Sequence, residues 1–326
     1  MIPLILRRLA QLPLILGVIF TITLALAWAV PGNPLENPER RPPPEIAAAM
    51  KRQYNLDSFW RFYGSYLDSA SGVKFVRESL DSQPKSVTNQ GTRWVFDLGP
   101  SLRHRDRRVN EIIADSLPVS MTLGAAAIVF ALIVGVGAGV LGAIRPNGVL
   151  DALTLTIALI GISLPSFVIG TVLLLVFAVW LAWLPVGEWG TLRSLILPAI
   201  TLGLPPAAYI ARLTRLGMIE QLSMDYIRTA RAKGAPEHVV VLRHALKNAF
   251  LPVLSYLGPA TAFAMTGSFV VERVFNVPGM GKHFVNGVQN KDLFLIIGVV
   301  LVFATLLILM NLLVDVLYRW VDPRIE

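Results

Sequence analysis

Long apolar runs restrict this chain more than any other feature of its sequence. Several stretches close to or longer than 20 residues carry almost no charge. A helix needs about 20 mostly apolar residues to cross the hydrocarbon core of a bilayer. Charged residues make up 15% of the chain, whereas a soluble domain has about 25%. The sequence therefore predicts an integral membrane protein and excludes a single soluble core.

The positive charge of the chain fits a membrane protein better than a nucleic-acid-binding one. The net charge is +8 and the pI is about 10.0. Lys and Arg cluster beside the apolar runs, as expected when cytoplasmic loops are positive. No basic face with interleaved aromatic residues stands apart from those runs, so nucleic-acid binding is not predicted. The chain has no cysteine, which excludes disulfides and thiolate metal sites.

The first apolar run, Leu9–Val30, follows Arg7 and Arg8. It resembles a secretory signal in one respect, since Ala27-Trp28-Ala29 is a small-x-small sequence. Signal sequences have apolar regions of about 7–15 residues, whereas this run has 22. The length favours a retained first span over a cleaved signal.

The segment 31–117 is the only long polar part of the chain. It opens with a proline-rich stretch, continues with a predicted helix from Glu45 to about Leu67, and becomes irregular from Ser69 to Gly99. It carries 13 Lys/Arg and 11 Asp/Glu. The charge rule does not apply to such a long loop, so an external location is allowed.

Five further apolar runs follow the polar segment. They are about Pro118–Ile144, Val149–Leu184, Leu195–Ile210, Leu251–Val271 and Leu293–Tyr318. Gly135, Gly139 and Gly142 form a bare stripe on the first of these, which predicts close packing of a neighbouring helix. Pro165 interrupts the second, which is either one kinked, overlong span or two short ones.

Charge decides the predicted topology. The segment from Arg212 to Asn248 has seven basic and three acidic residues, so it belongs on the cytoplasmic side. With a cytoplasmic N-terminus, this requires Val149–Leu184 to cross once. The prediction is six crossings with both termini cytoplasmic. The predicted parts are 1–30 with the first span, 31–117 outside, and a core 118–326 with a cytoplasmic loop at about 215–250.

This cytoplasmic loop is predicted to be two amphipathic helices joined by a turn. Gly234 ends the first helix and Pro236 starts the second. The apolar face of the first comprises Met218, Ile219, Leu222, Tyr226 and Ala230, and that of the second Val239, Val240, Leu242, Leu246 and Phe250. Such a loop either docks in a cleft of another protein or packs on its own bundle, and the pattern does not choose between them.

No enzymatic or metal site is predicted. Gly281-Lys282 lacks the upstream glycine and the following hydroxyl of a phosphate-binding loop, so the chain is not expected to hydrolyse ATP. The four histidines lack metal-ligand spacing. Asp315, Glu272 and Arg273 lie near span ends, where interfacial structural roles are expected.

Several segments of the chain are specific enough to compare with known families. They are the loop sequence from Asp225 to Gly234, Arg243–Ala249, Leu251-Pro252-Val253, Val277–Gly281, Asn311–Tyr318 and Asp322-Pro323-Arg324. These segments, and most strongly the loop sequence, are similar to the oligopeptide/dipeptide permease B subunits among binding-protein-dependent ABC transporter permeases. The resemblance covers nearly the whole chain, although the stretch from Ala70 to Phe96 is longer than its counterpart in that family.

The resemblance implies an all-α, six-helix importer permease of type I (MetI-like), with an external segment between the first two spans. It also implies that the loop inserts a coupling helix into a groove of an ATPase subunit. The implied contact residues are Asp225, Tyr226, Arg228, Thr229, Ala230, Arg231, Ala232, Lys233, Gly234 and Ala235. The superfamily pattern Glu-Ala-Ala is replaced here by Arg228-Thr229-Ala230.

The same resemblance implies the partners and the location. These are a second homologous permease, two ATP-binding subunits, an external solute-binding protein, a peptide substrate and the inner membrane. The chain would bind no cofactor itself, since the partner subunits use the ATP. Other solutes, namely nickel chelates, glutathione or oligosaccharides, remain open. So do an ion-coupled secondary transporter, which would need ionisable groups within its spans, and a non-transporting membrane anchor.

Overall fold

The structure is a computed structural model that describes residues 2–30, 44–80, 94–104 and 107–321. Within these ranges the chain is helical, as predicted, and the only strand-like feature is an isolated bridge between Pro100 and Arg108. The chain divides into two compact units. The first comprises 1–9, 117–282 and 306–326, and the second 10–116 and 283–305. The proline-rich stretch 31–43, part of the predicted irregular region and the tail 322–326 lie outside the described residues.

Fifteen α-helices are present in the described ranges. The first eight are α1 (Ile2–Ala29), α2 (Pro44–Gln53), α3 (Phe59–Ala70), α4 (Val73–Leu80), α5 (Val109–Ile144), α6 (Val149–Ser163), α7 (Ser166–Leu173) and α8 (Leu192–Leu222). The others are α9 (Asp225–Ala232), α10 (Glu237–Val239), α11 (Leu246–Ala249), α12 (Leu251–Met265), α13 (Phe269–Val274), α14 (Met280–Gln289) and α15 (Leu293–Val321). One π-helical segment, Leu174–Trp180, continues α7, and another, Val240–Ala245, joins α10 to α11.

Four of the described helices are long and apolar enough to cross a membrane, namely α1, α5, α8 and α15. The pair formed by α6 and the continued α7 raises this number to five if it counts as one broken span. Helix α12 has only 15 residues, fewer than the about 20 that a straight crossing needs. The count of six crossings therefore stays a prediction.

The run Val149–Leu184 is broken where the sequence predicted a kink or a break. Helix α6 ends at Ser163, and the two halves meet at an angle of 110°. Leu164 is extended (φ −85°, ψ 135°) because the ring of Pro165 disfavours a helical conformation in the residue before it. The halves therefore form two short helices, arranged as a broken span or a re-entrant loop.

The single helix predicted from Glu45 to about Leu67 is wrong. The structure has two helices there, α2 and α3, separated by a turn in which Asn55 adopts a left-handed conformation (φ 55°). Ser58 is extended and starts α3. The expectation of irregular structure from Ser69 is also wrong over Val73–Leu80, which forms α4.

The fifth predicted span ends earlier than expected. Helix α12 stops at Met265, and Gly267 follows with a left-handed backbone (φ 91°) that favours glycine. A new short helix, α13, then starts at Phe269. The segment between α13 and α15 contains a further helix, α14.

The glycine stripe on α5 packs closely against neighbouring helices, as predicted, and two of its members, Gly135 and Gly139, face α8. A Cβ atom on Gly135 would lie 2.6 Å from the carbonyl oxygen of Ala207. A Cβ atom on Gly139 would lie 2.6 Å from the carbonyl oxygen of Ala211. The two helix backbones are therefore in direct contact along this stripe, which only residues without a side chain permit.

Replacing Gly139 with leucine is expected to destabilise the helix pair by about 3 kcal/mol or more, since a large side chain is forced against backbone atoms that cannot move aside. Gly137→Leu is the matched control, because Gly137 lies on the same helix with no atom within 4 Å of its Cβ position. The yield of monodisperse protein after heating in detergent measures the effect. Equal losses for the two variants would contradict the packing role of the stripe.

Candidate functional site

The polar loop after α8 is the candidate functional site, and it begins with a break in the helix. Helix α8 continues past its apolar part to Leu222. Ser223 ends it, and Met224 is extended (φ −74°, ψ 152°) before α9 starts at Asp225. The continuous amphipathic helix predicted from Met218 to Ala230 is therefore wrong.

The break changes which side chain of α9 points inward. Ile227 is 0% exposed, whereas Tyr226, which the predicted face included, is 40% exposed. Ile227 was missed because a continuous helix from Met218 would turn it away from the apolar face. Its own signal was its position as the one large aliphatic side chain in the helix Asp225–Ala232.

Ile227 belongs to a buried cluster that we call the loop core. The loop core joins α9 to α5, to the end of α8 and to the π-helical segment. Its buried members are Val140, Ala143, Met218, Ile227, Val240, Val241, Ala245 and Ala249. Ala230 of α9 packs against the same cluster, and the Tyr226 hydroxyl donates a hydrogen bond to Gln221 of α8 at 2.8 Å. Helix α9 is thus fixed to the apolar helices, with Ile227 as its one fully buried side chain.

The second helix of the loop also presents a different face from the predicted one. The π-helical turn carries about one residue more per turn than an α-helix, so the inward positions become Val241 and Ala245. Leu242, which the predicted face included, is 58% exposed. Val240 lies inside, as predicted.

Most of the predicted contact residues lie on the outer surface of the loop. Ala230 and Ala235 are half-buried, and the other eight are exposed: Asp225, Tyr226, Arg228, Thr229, Arg231, Ala232, Lys233 and Gly234. Helix α9 therefore buries one side chain and exposes a polar, mainly basic surface. The pattern alone left docking and packing as equal alternatives; the structure shows packing on one side of the helix and an exposed surface on the other.

The turn between the two loop helices is held by a charged pair and by glycine. Arg231 donates two hydrogen bonds to Glu237, at 2.6 and 3.1 Å, across the turn. The guanidinium lowers the pKa of the Glu237 carboxyl. Gly234 has a left-handed backbone (φ 79°) with no atom within 4 Å of its Cβ position. Glu237 was not among the predicted contact residues, although it supports this turn.

A buried ion pair lies near the base of the loop. Arg215 on α8 donates to both carboxylate oxygens of Asp151 on α6, at 2.5 and 2.7 Å. The backbone N–H of Asn147 donates to the same carboxylate at 2.8 Å. Two hydrogen bonds from one planar guanidinium fix both the distance between the two side chains and their relative orientation. This pair ties the start of α6 to the part of α8 that leads into the loop.

The burial of Glu272 is a second feature that the sequence did not reveal. The residue was expected at an interface, but it is 1% exposed. Its carboxylate accepts hydrogen bonds from Ser120 Oγ (2.9 Å) and from the backbone N–H groups of Gly281 and Lys282. Burial raises the pKa of this carboxyl, although the hydrogen bonds oppose the rise. A side chain on Gly279 would collide with the carboxylate.

The other acidic residue predicted near a span end, Asp315, has a structural partner. Asp315 on α15 forms an ion pair with Arg8 on α1 at 2.9 Å. Among the described residues, no group of three His, Cys, Asp or Glu side chains could hold a metal ion. No arrangement described above resembles a set of catalytic groups.

Several apolar helices of membrane-crossing length, with an exposed helical loop fixed to them, define a class, the multi-span membrane proteins. Residues 115–326 match the family described as binding-protein-dependent transport system inner membrane component. Since this match covers more than half of the chain, the chain belongs to that family.

Full-length relatives agree with this assignment. The oligopeptide transport system permease protein OppB of Escherichia coli (strain K12) is 42% identical over 329 residues, covering 100% of both chains. OppB of Haemophilus influenzae is 39% identical over 329 residues, again covering 100% of both. The dipeptide transport system permease protein DppB of Bacillus subtilis (strain 168) is 39% identical over 310 residues, which are 95% of this chain and 93% of the relative.

Proposed function

We propose that this chain is a permease subunit of an ATP-driven importer and forms half of the translocation path for oligopeptides or dipeptides. An external solute-binding protein would deliver the peptide. The proposal on the solute rests on the names of relatives at 39–42% identity over nearly the whole chain. The family supports the permease role.

The observation that carries the proposal is the one-sided burial of α9. Ile227 is buried in the loop core and Ala230 packs against it, while the polar face of the helix is exposed. A helix that served only to cover the bundle would bury more than one of its eight residues. The exposed face is therefore suited to a partner protein.

In the proposed mechanism the exposed residues of α9 and its turn, from Asp225 to Ala235, contact an ATP-binding subunit. Movement of that subunit on binding ATP would displace α9. Ile227 would transmit the displacement to Met218 on α8 and to Val140 on α5, because these side chains share one packed cluster. Packed clusters transmit strain because they are dense and have low compressibility.

The proposed assembly contains a second homologous permease, two ATP-binding subunits and the solute-binding protein in the inner membrane. We infer six crossings with both termini cytoplasmic: α1, α5, the bent pair of α6 and α7, α8, α12 and α15. The predicted parts 1–30, 31–117 and 118–326 keep their boundaries in this arrangement, with 31–117 outside. No cofactor is assigned to this chain, and the partner subunits would use the ATP.

The test is co-expression with the neighbouring genes, purification in detergent and reconstitution into vesicles. We expect two ATP-binding subunits and a second permease to co-purify, and peptide with its binding protein to stimulate ATP hydrolysis and uptake. Stimulation by a nickel chelate, glutathione or an oligosaccharide instead would retain the importer but reject the peptide. Uptake driven by an ion gradient without ATP would reject the importer itself.

A further inference from the structure

Helix α3 packs against the end of one apolar helix and the beginning of another. The Trp28 ring, in the last turn of α1, lies 5.7 Å from the Phe59 ring and 5.8 Å from the Phe62 ring. The Phe62 ring also lies 5.3 Å from that of Phe294, in the first turn of α15. Phe62 therefore contacts the end of α1 and the start of α15, so these two helix ends lie at the same level.

This level corresponds to a membrane boundary. Helices α1 and α15 are both long and apolar enough to cross a bilayer, so the end of one and the start of the other mark the same side. The contact of α3 with α1 reaches back to Phe20, whose ring stacks on Tyr66 at 5.3 Å. From Phe20 to Trp28 is about 12 Å of helix. Helix α3 thus lies beside the boundary and not far outside it.

The polar groups of α3 are arranged for this position. The hydroxyls of Tyr63 and Thr21 are hydrogen-bonded at 3.0 Å, so Tyr63 has a partner on α1 itself. Phe62 and Tyr66 are buried on the inner side. The exposed positions are Trp60, Arg61, Gly64 and Ser65.

Trp60 is the most unusual of these exposed residues, because 76% of it is accessible. Its ring lies 5.1 Å from that of Phe59 and 6.0 Å from that of Tyr63 but stays largely uncovered. An indole ring exposed to water is unfavourable, whereas Trp is enriched where hydrocarbon meets headgroups. The adjacent Arg61 can extend its charge to the headgroups while its stem stays in the apolar layer. The outer face of α1 stays apolar to its end, since Ile22 and Leu26 are exposed there. Its lipid-facing surface therefore continues up to the level of α3.

We propose that α3 is an interfacial helix and that Trp60 inserts into the headgroup layer of the bilayer on the side where α1 ends. The partner of this face is the lipid surface. The insertion would fix the end of α1 and the polar segment that follows it at a defined depth. The proposal does not depend on which solute is transported.

The absence of cysteine from the chain allows a direct test with single cysteines. Trp60→Cys in the complete transporter would be spin-labelled and reconstituted into phosphatidylcholine–phosphatidylglycerol vesicles. We expect the label to collide more often with oxygen, which partitions into lipid, than with a water-soluble nickel chelate. Leu26→Cys on α1 is the lipid-facing reference, and Asp57→Cys, exposed just before α3, is the water-facing one.

A second variant, Gly64→Cys with the same label, keeps the test valid if the loss of the Trp60 side chain disturbs folding. Gly64 is exposed on α3 with no atom within 4 Å of its Cβ position. The complex with the unsubstituted chain, labelled in the same way, gives the signal that comes from cysteines of the partner subunits, and this signal is subtracted. The proposal would be overturned if the nickel chelate collided with the labels at positions 60 and 64 as often as with the label at position 57. Labels shielded from both reagents would also overturn it, since this would indicate that a protein covers α3.

Discussion

Gly234→Arg is expected to reduce ATP-dependent uptake at least about tenfold, since a loss of about 1.4 kcal/mol in docking free energy already has this effect. The chain itself should fold, because no atom lies within 4 Å of the Gly234 Cβ position. A long charged side chain would occupy space at the tip of the exposed loop that the proposed partner needs. Uptake by reconstituted transporter, together with basal and stimulated ATP hydrolysis, is the measurement.

Two controls separate docking from backbone strain. Gly234→Ala tests the strain alone, since a left-handed residue with a Cβ costs roughly 1 kcal/mol, and it should retain most uptake. Gly190→Arg places the same side chain on another glycine with positive φ (110°) and open space around it, outside the loop. If Gly234→Arg transported as well as Gly190→Arg, the loop tip would not contact the ATP-binding subunit.

Glu272→Ala is expected to destabilise the chain by roughly 3 kcal/mol or more, because each buried donor without an acceptor costs about 1–3 kcal/mol. The substitution removes the acceptor of Ser120 Oγ and of the N–H groups of Gly281 and Lys282. It also leaves a cavity among residues that are themselves buried. The monodisperse fraction that remains after a series of heating steps in detergent measures the loss.

Arg273→Ala is the matched control for this prediction. Arg273 is the next residue on the same short helix and is exposed, so its loss should change stability little. Glu272→Gln should fall between the two, because its amide keeps one acceptor oxygen but turns an NH₂ group towards donors. An alanine variant as heat-resistant as the control would show that the Glu272 hydrogen bonds contribute nothing net to stability.

The position of the loop was predictable, but its inward face was not. Charge identified the loop, and the Gly234-x-Pro236 spacing located the turn between its two helices correctly. The extended Met224 resets the helical register, so Ile227 replaces Tyr226 on the buried side. A periodicity argument assumes one uninterrupted helix, and it fails wherever a single residue leaves the helical conformation.

The sequence by itself determined the features that depend on local chemistry. Run length makes α1, α5 and α15 apolar helices long enough to span a membrane. The ring of Pro165 breaks the run that contains it, and glycines at helical spacing allow α5 to contact α8. Each follows from the steric or solvation properties of residues that are neighbours in the chain.

Only the tertiary structure decided the features that depend on distant partners. Glu272 is buried because Ser120, 152 positions earlier in the chain, and the start of α14 supply its hydrogen bonds. Asp151 meets Arg215 across 64 positions, and Phe62 meets Phe294 from another helix. A burial or a pairing of this kind is a property of packed helices, and the spacing of residues along one helix carries no information about it.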